Sequence, residues 1–189
     1  MNKDKSFFKE LNETKYRSVE TCMQSDQDMK RVERWLCQNL KLEKEVVEQL
    51  LFVVKTTLTG CFVNQCQDAT KEFAENLITR FGEELSFFDL ASDVEFFDAR
   101  SNGPFDNSNQ RIKYHSVAVL DFGGKEKVFL ICDLTYGLNM QRGDKKNILF
   151  LVEEGDMGKV TELLSKKYGG KWDFVYRFNK KNKKFEFID

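Results

Sequence analysis

One proline, Pro104, and one histidine, His115, occur in a chain of 189 residues. With 11 glycines besides, little of the chain reads as a flexible or proline-rich linker. Charge bias is missing as well, since 30 Lys and Arg stand against 31 Asp and Glu. Such a balance gives no electrostatic reason to expect nucleic acid or an anionic membrane as a partner. No run approaches the ~20 apolar residues of a membrane-spanning helix. The first fifteen residues are charged and lack the apolar centre of a cleavable signal. The five cysteines, Cys22, Cys37, Cys61, Cys66 and Cys132, include no CxxC pair. Their odd number and irregular spacing suggest neither a disulfide framework nor a zinc site. The expectation is therefore free thiols in a reducing compartment. That means action in the cytoplasm, or export as an effector by a route that needs no cleavable signal peptide.

Phenylalanine, by contrast, is plentiful at 18 copies, which predicts an aromatic-rich core. The length suits one domain with a sizeable interior. Residues 1–25 read as a polar N-terminal segment with weak structural signals, and 26–189 as a single domain. Met29, Val32, Trp35 and Leu36 recur at helical spacing over 26–40, as do Val46, Val47, Leu50, Leu51 and Val54 over 43–57. A third helix is expected over about 65–81, with Ala69, Phe73, Ala74, Leu77 and Ile78 on one side and Gly82 at its end.

Beyond Gly82 the periodicity changes. A short strand is expected within the Phe- and Asp-rich stretch 85–99, then a turn-rich loop over 101–110. Strands follow over 114–120, 127–132 and 147–153, then a short helix over 158–168 and a last hairpin of 172–178 with 183–188. Helices first and an antiparallel sheet afterwards make the expected class α+β, with four or more strands from about residue 94 onward. The pairs Phe87-Phe88 and Phe96-Phe97 read as core, and the lysines at 180, 181, 183 and 184 as a solvated hairpin tip.

The hairpin that carries His115 also carries an acid. A turn centred on Gly124 pairs Val119 with Phe129, Val117 with Ile131 and His115 with Asp133. Cross-strand partners share a face, with Cβ atoms ~4.5–5.5 Å apart. At that distance a carboxylate fixes the tautomer of an imidazole and stabilises its protonated form. With 31 acidic residues in the chain, chance proximity of a structural histidine to an acid is the competing account.

A nucleophile is offered by Asn64-Gln65-Cys66-Gln67. Asn is a favoured helix N-cap, and Gln three residues later completes a capping box. Cys66 then falls in the first helical turn, where the dipole and free N–H groups favour a thiolate and can contribute an oxyanion hole. Cys61 is the rival nucleophile, if the helix begins earlier. Gln65 or Asn64 is a weak candidate for a second oxyanion donor, with simple capping as the alternative. The bland account of both cysteines is that they are small buried hydrophobes.

Cysteine at a helix start, then histidine opening a strand, then aspartate closing the next strand, resembles the papain-like and transglutaminase-like cysteine enzymes. Asp133-Leu134-Thr135 is similar to the Asp-Pro-Thr of the transglutaminase core, with Leu134 in place of proline. The stretch Cys132–Leu138 also resembles the Asp-Pro-Asn-aromatic-Gly ending of some bacterial effector cysteine proteases. No aromatic residue follows Cys66 directly, as one does in papain. The likeness covers about residues 60–140. It implies a Cys66–His115–Asp133 triad and a helical lobe packed on an antiparallel sheet. The implied chemistry is attack on a peptide or glutamine amide through a thioester, by a protease, a deamidase or a transglutaminase-like acyltransferase. Its substrate would be a protein or peptide, with no metal or organic cofactor. Two rival expectations remain: an inactive member of this fold serving as a protein-interaction domain, and an unrelated α+β adaptor with a chance triad.

Overall fold

The computed structural model describes residues 17–23, 25–58, 66–83, 95–102, 114–122, 127–139, 147–179, 181–182 and 184–188. Helices α1 (Asp26–Leu40), α2 (Lys44–Thr57) and α3 (Cys66–Glu83) come early. A single turn, α4 (Tyr136–Asn139), and the helix α5 (Met157–Tyr168) come late. The strands are β1 (Arg17–Thr21), β2 (Glu95–Asn102), β3 (Tyr114–Asp121), β4 (Val128–Asp133), β5 (Ile148–Glu154), β6 (Lys171–Asn179) and β7 (Lys184–Phe187). All seven form one sheet in the order β1-β5-β4-β3-β2-β6-β7, and every neighbouring pair is antiparallel. The class is α+β.

Local chemistry sets the helix ends. The side chain of Ser25 accepts a hydrogen bond from the Asp28 N–H and caps α1, and Asp156 does the same for Lys159 at the start of α5. Lys41 closes α1 in the left-handed conformation, with φ at 57°. The third helix runs past the expected stop at Gly82 to Glu83. A glycine inside a helix costs only ~1 kcal/mol relative to alanine, so its presence does not oblige the helix to end.

Alternation along the strands sorts side chains into two cores. Phe96, Ala118, Leu120, Leu130, Cys132 and Phe150 face α1, α2 and α3. Phe97, Val117, Val119, Phe129, Ile131 and Leu151 face α5. Because both faces are covered, β4 shows no polar alternation and reads Val-Phe-Leu-Ile-Cys. Phe96 and Phe97 thus belong to opposite cores, as packing residues.

Two expectations are corrected here. The sheet does not begin near residue 94, because β1 lies within the segment 1–25 and pairs with β5. Its sequence, Arg-Ser-Val-Glu-Thr, buries only Val19 and Thr21, too few apolar positions to register as a strand. The β3–β4 register is also displaced. Val119 faces Ile131 and not Phe129, and Ala118 faces Cys132. The Phe122 N–H donates to the Val128 carbonyl at 3.2 Å, so the pairing is centred one residue beyond Gly124. A shift of two residues preserves the face on which each side chain lies.

Candidate active site

Asp133 is the last residue of β4 and is fully buried. Its Oδ1 accepts the Thr135 N–H at 3.1 Å, with the Thr135 hydroxyl at 3.4 Å. An aspartate bonding the backbone two residues on is an Asx turn, and it fixes the carboxylate to the chain that follows the strand. The other oxygen, Oδ2, accepts the Tyr168 hydroxyl at 2.7 Å and lies 2.8 Å from His115 Nε2. Both carboxylate oxygens are therefore occupied, as a buried charge requires.

His115, 1% exposed, stands near the start of β3 on the face that carries α5. It is diagonal to Asp133 across the β3–β4 pair rather than directly opposite, which follows from the two-residue shift. The imidazole closes that gap, since diagonal neighbours lie within reach of long and aromatic side chains. Tyr168 and Trp172 complete its surroundings, with ring centroids 5.4 and 5.9 Å from the imidazole, both edge-on. Tyr168 ends α5 and Trp172 is the second residue of β6, and Gly169 and Gly170 turn the chain between the two elements at φ of 81° and 72°. Only glycine takes that conformation without strain, so the Gly-Gly pair brings two rings against one histidine. The Trp172 indole N–H donates to the Gly169 carbonyl at 3.0 Å, which locks the ring.

Cys66 is the first residue of α3 and a hydrogen-bond partner of His115. Cys66 is buried, with 9% of the residue exposed. It belongs to neither of the two apolar clusters.

Burial opposes the charged form of His115. The Asp133 carboxylate, its hydrogen bond and the Cys66 contact outweigh that penalty and raise the ring from an ordinary 6.5 to about 10. At neutral pH the imidazole therefore holds its second proton. Burial and the same carboxylate push the Tyr168 hydroxyl and the Cys132 thiol well up, so both stay neutral. Cys132 points into the α1–α3 core, away from the imidazole.

Of the residues singled out from sequence, Cys66, His115 and Asp133 come together in that order of contact. Cys61 and Gln65 lie outside the described residues, as does Asn64. Tyr168 and Trp172 are the site residues that sequence reasoning missed. The string Tyr168-Gly169-Gly170-Lys171-Trp172 signals a tight turn between aromatics, but nothing in it points to His115. Among the described residues no group of three or more His, Cys, Asp or Glu side chains is placed to hold a metal ion, and no helix is long and apolar enough to cross a membrane.

No family model, curated protein or solved structure matches the chain.

Proposed function

We propose that Cys66, His115 and Asp133 are the nucleophile, proton carrier and orienting acid of a cysteine hydrolase or acyltransferase of papain-like or transglutaminase-like character. The substrate is a peptide or glutamine amide. The observation that carries the reading is that one buried imidazole bonds Asp133 through Nε2 and also interacts with the Cys66 side chain. A histidine in a merely structural role needs no thiol beside it.

In this reading the protonated imidazole of His115 stands beside the Cys66 sulfur before substrate arrives. The sulfur attacks the amide carbon, and the free N–H groups at the start of α3 offer hydrogen bonds to the oxyanion. His115 then gives its proton to the departing amine or ammonia as the C–N bond breaks, leaving a thioester. Water or a primary amine adds next, with His115 accepting the proton as the new bond forms and the sulfur leaves. Asp133 stays charged throughout and stabilises the imidazolium. Tyr168 and Thr135 hold the carboxylate still, which is the second layer of support such a site needs.

The test has two arms. Iodoacetamide at about pH 6 distinguishes an imidazolium-paired thiolate from an ordinary thiol. Cys66 is expected to be alkylated faster than the half-buried Cys22, and equal rates would count against the pairing. Ammonia release from a glutamine-containing peptide, with and without an added amine, reads turnover. Cys66→Ala and His115→Ala are expected to abolish it. A dead Cys61→Ala beside an active Cys66→Ala would move the nucleophile to Cys61.

A further inference from the structure

A second buried polar chain runs beside the first, on the opposite face of the sheet. Asp98 on β2 is 3% exposed, and its Oδ2 accepts Arg100 Nε and Nη2 at 2.9 and 2.7 Å. The Arg100 guanidinium lies over the Tyr176 ring, 4.5 Å from its centroid, which anchors the cation to β6. The other oxygen, Oδ1, accepts the Ser116 hydroxyl from β3. Ser116 Oγ in turn lies 3.4 Å from Thr70 Oγ1 on α3. The chain thus links three strands to one helix, with Asp98, Ser116 and Thr70 buried and Arg100 and Tyr176 half-buried.

The ends of this chain are informative. Ser116 follows His115 directly, so the two side chains leave β3 on opposite faces. Thr70 lies one helical turn after Cys66, on the same side of α3. The link from Ser116 to Thr70 therefore ties the strand residue next to the imidazole to the helix residue one turn from the thiol. Ala69, Phe73, Ala74 and Leu77 also hold α3 on the sheet, but apolar contact is non-directional and tolerates sliding. A hydrogen bond to a fixed partner does not.

We propose that Thr70, Ser116 and Asp98 are positioning residues that set the distance between Cys66 and His115. The proposal rests on the reading of Cys66 and His115 as a working pair. Asp98 is the fixed point, because a buried carboxylate held by a guanidinium cannot shift without losing its partners. Ser116 transmits that position, and Thr70 receives it on the helix. A sideways or axial shift of α3 that broke the Thr70 contact would carry Cys66 by the same amount, since both ride on one rigid turn.

His115 is the only histidine, so its ring resonances in the spectrum of the full chain belong to a single residue. The readout is the pH at which the ring loses its proton, followed by nuclear magnetic resonance on isotope-labelled protein, with backbone signals reporting that the fold persists. Cys66→Ala is expected to lower that midpoint, by removing the sulfur. Thr70→Val and Ser116→Ala are expected to lower it by about half a unit or more, because the sulfur withdraws. Thr70→Ser keeps the hydroxyl and should restore the wild-type value, which a purely packing role for Thr70 would not produce. If Cys66→Ala lowers the midpoint and the Thr70 and Ser116 variants leave it in place, the positioning role is wrong while the pair stands. If Cys66→Ala itself has no effect, the pairing fails and the positioning role falls with it. Should Ser116→Ala not fold, the comparison of Thr70→Val with Thr70→Ser decides alone.

Discussion

The sheet carries three helices on one face and, on the other, α5 with the single turn α4, and the two faces treat polar groups differently. On the three-helix face, the carboxylate of Asp98 is neutralised by a neighbour two residues along its own strand and then extended by hydroxyls to α3. On the α5 face, Asp133 meets no arginine or lysine among the described residues. Its counterion is a histidine, supported by a tyrosine hydroxyl and a threonine. A guanidinium keeps its charge at any working pH, whereas an imidazole can lose it. The first arrangement is suited to holding elements in place, and the second to moving a proton. Cys66, at the start of α3, belongs to a helix of the first face and interacts with the histidine of the second.

Three changes break or sharpen this contrast. The largest effect is expected from Phe150→Ala, which empties a fully buried site in the core beneath α1–α3. Denaturant unfolding should show a loss of about 3–5 kcal/mol, while the His115 titration in the surviving folded fraction stays put. A shift of that titration would mean that the two faces are coupled through the apolar core.

A smaller and pH-dependent effect belongs to the α5 face. The His115 ring is raised from 6.5 in the unfolded chain to about 10 in the folded one. Below the lower value both states bind the proton, and the stabilisation from the imidazolium is fully present. As pH climbs from there through the upper value, the unfolded chain has already given up the proton that the folded chain still holds, and the contribution drains away. Tyr168 and Cys132, held neutral by the fold, ionise near their ordinary values in the unfolded chain and add to the loss in alkali. Unfolding free energy measured from pH 6 to 10 should therefore fall steadily, and the fall should flatten in His115→Gln. An unchanged slope in that variant would remove His115 from the account.

The smallest effect is expected from Tyr168→Phe. It deletes one hydroxyl from Asp133 Oδ2 and leaves the ring packing against His115 and Trp172. Stability should drop by about 1 kcal/mol. Turnover should fall with it, because the carboxylate loses one of the groups that aim it. Full turnover at reduced stability would confine Tyr168 to structure.

How much of this was legible in the sequence varies by element. The bounds of α1, α2 and α5 follow from 3.6-residue periodicity and are found within a residue or two. The hairpin bearing His115 and Asp133 is also legible, since both strands are apolar and end in turn residues. Its register is not, because loop length is hidden in a run of small and charged residues. The error is tolerable only because a strand repeats every two residues. The strand β1 escapes because an edge strand with one half-buried face needs few apolar residues to be stable. Tyr168 and Trp172 escape for a different reason. They reach His115 through tertiary packing, and no local spacing encodes that.

The strand order also bears on how the molecule is made. Val19 on β1 lies opposite Phe150 on β5, so the first strand described finds its partner only after most of the chain exists. The hairpin β3–β4 and the pair β6–β7 join neighbours in sequence and can close early, at little loop-closure cost. During synthesis the segment 17–21 must wait, unpaired, while α1–α3 and the central strands emerge. Its partner β5 nevertheless precedes β6 and β7 in the chain, so the β1 edge can be sealed while the opposite edge of the sheet is still being made.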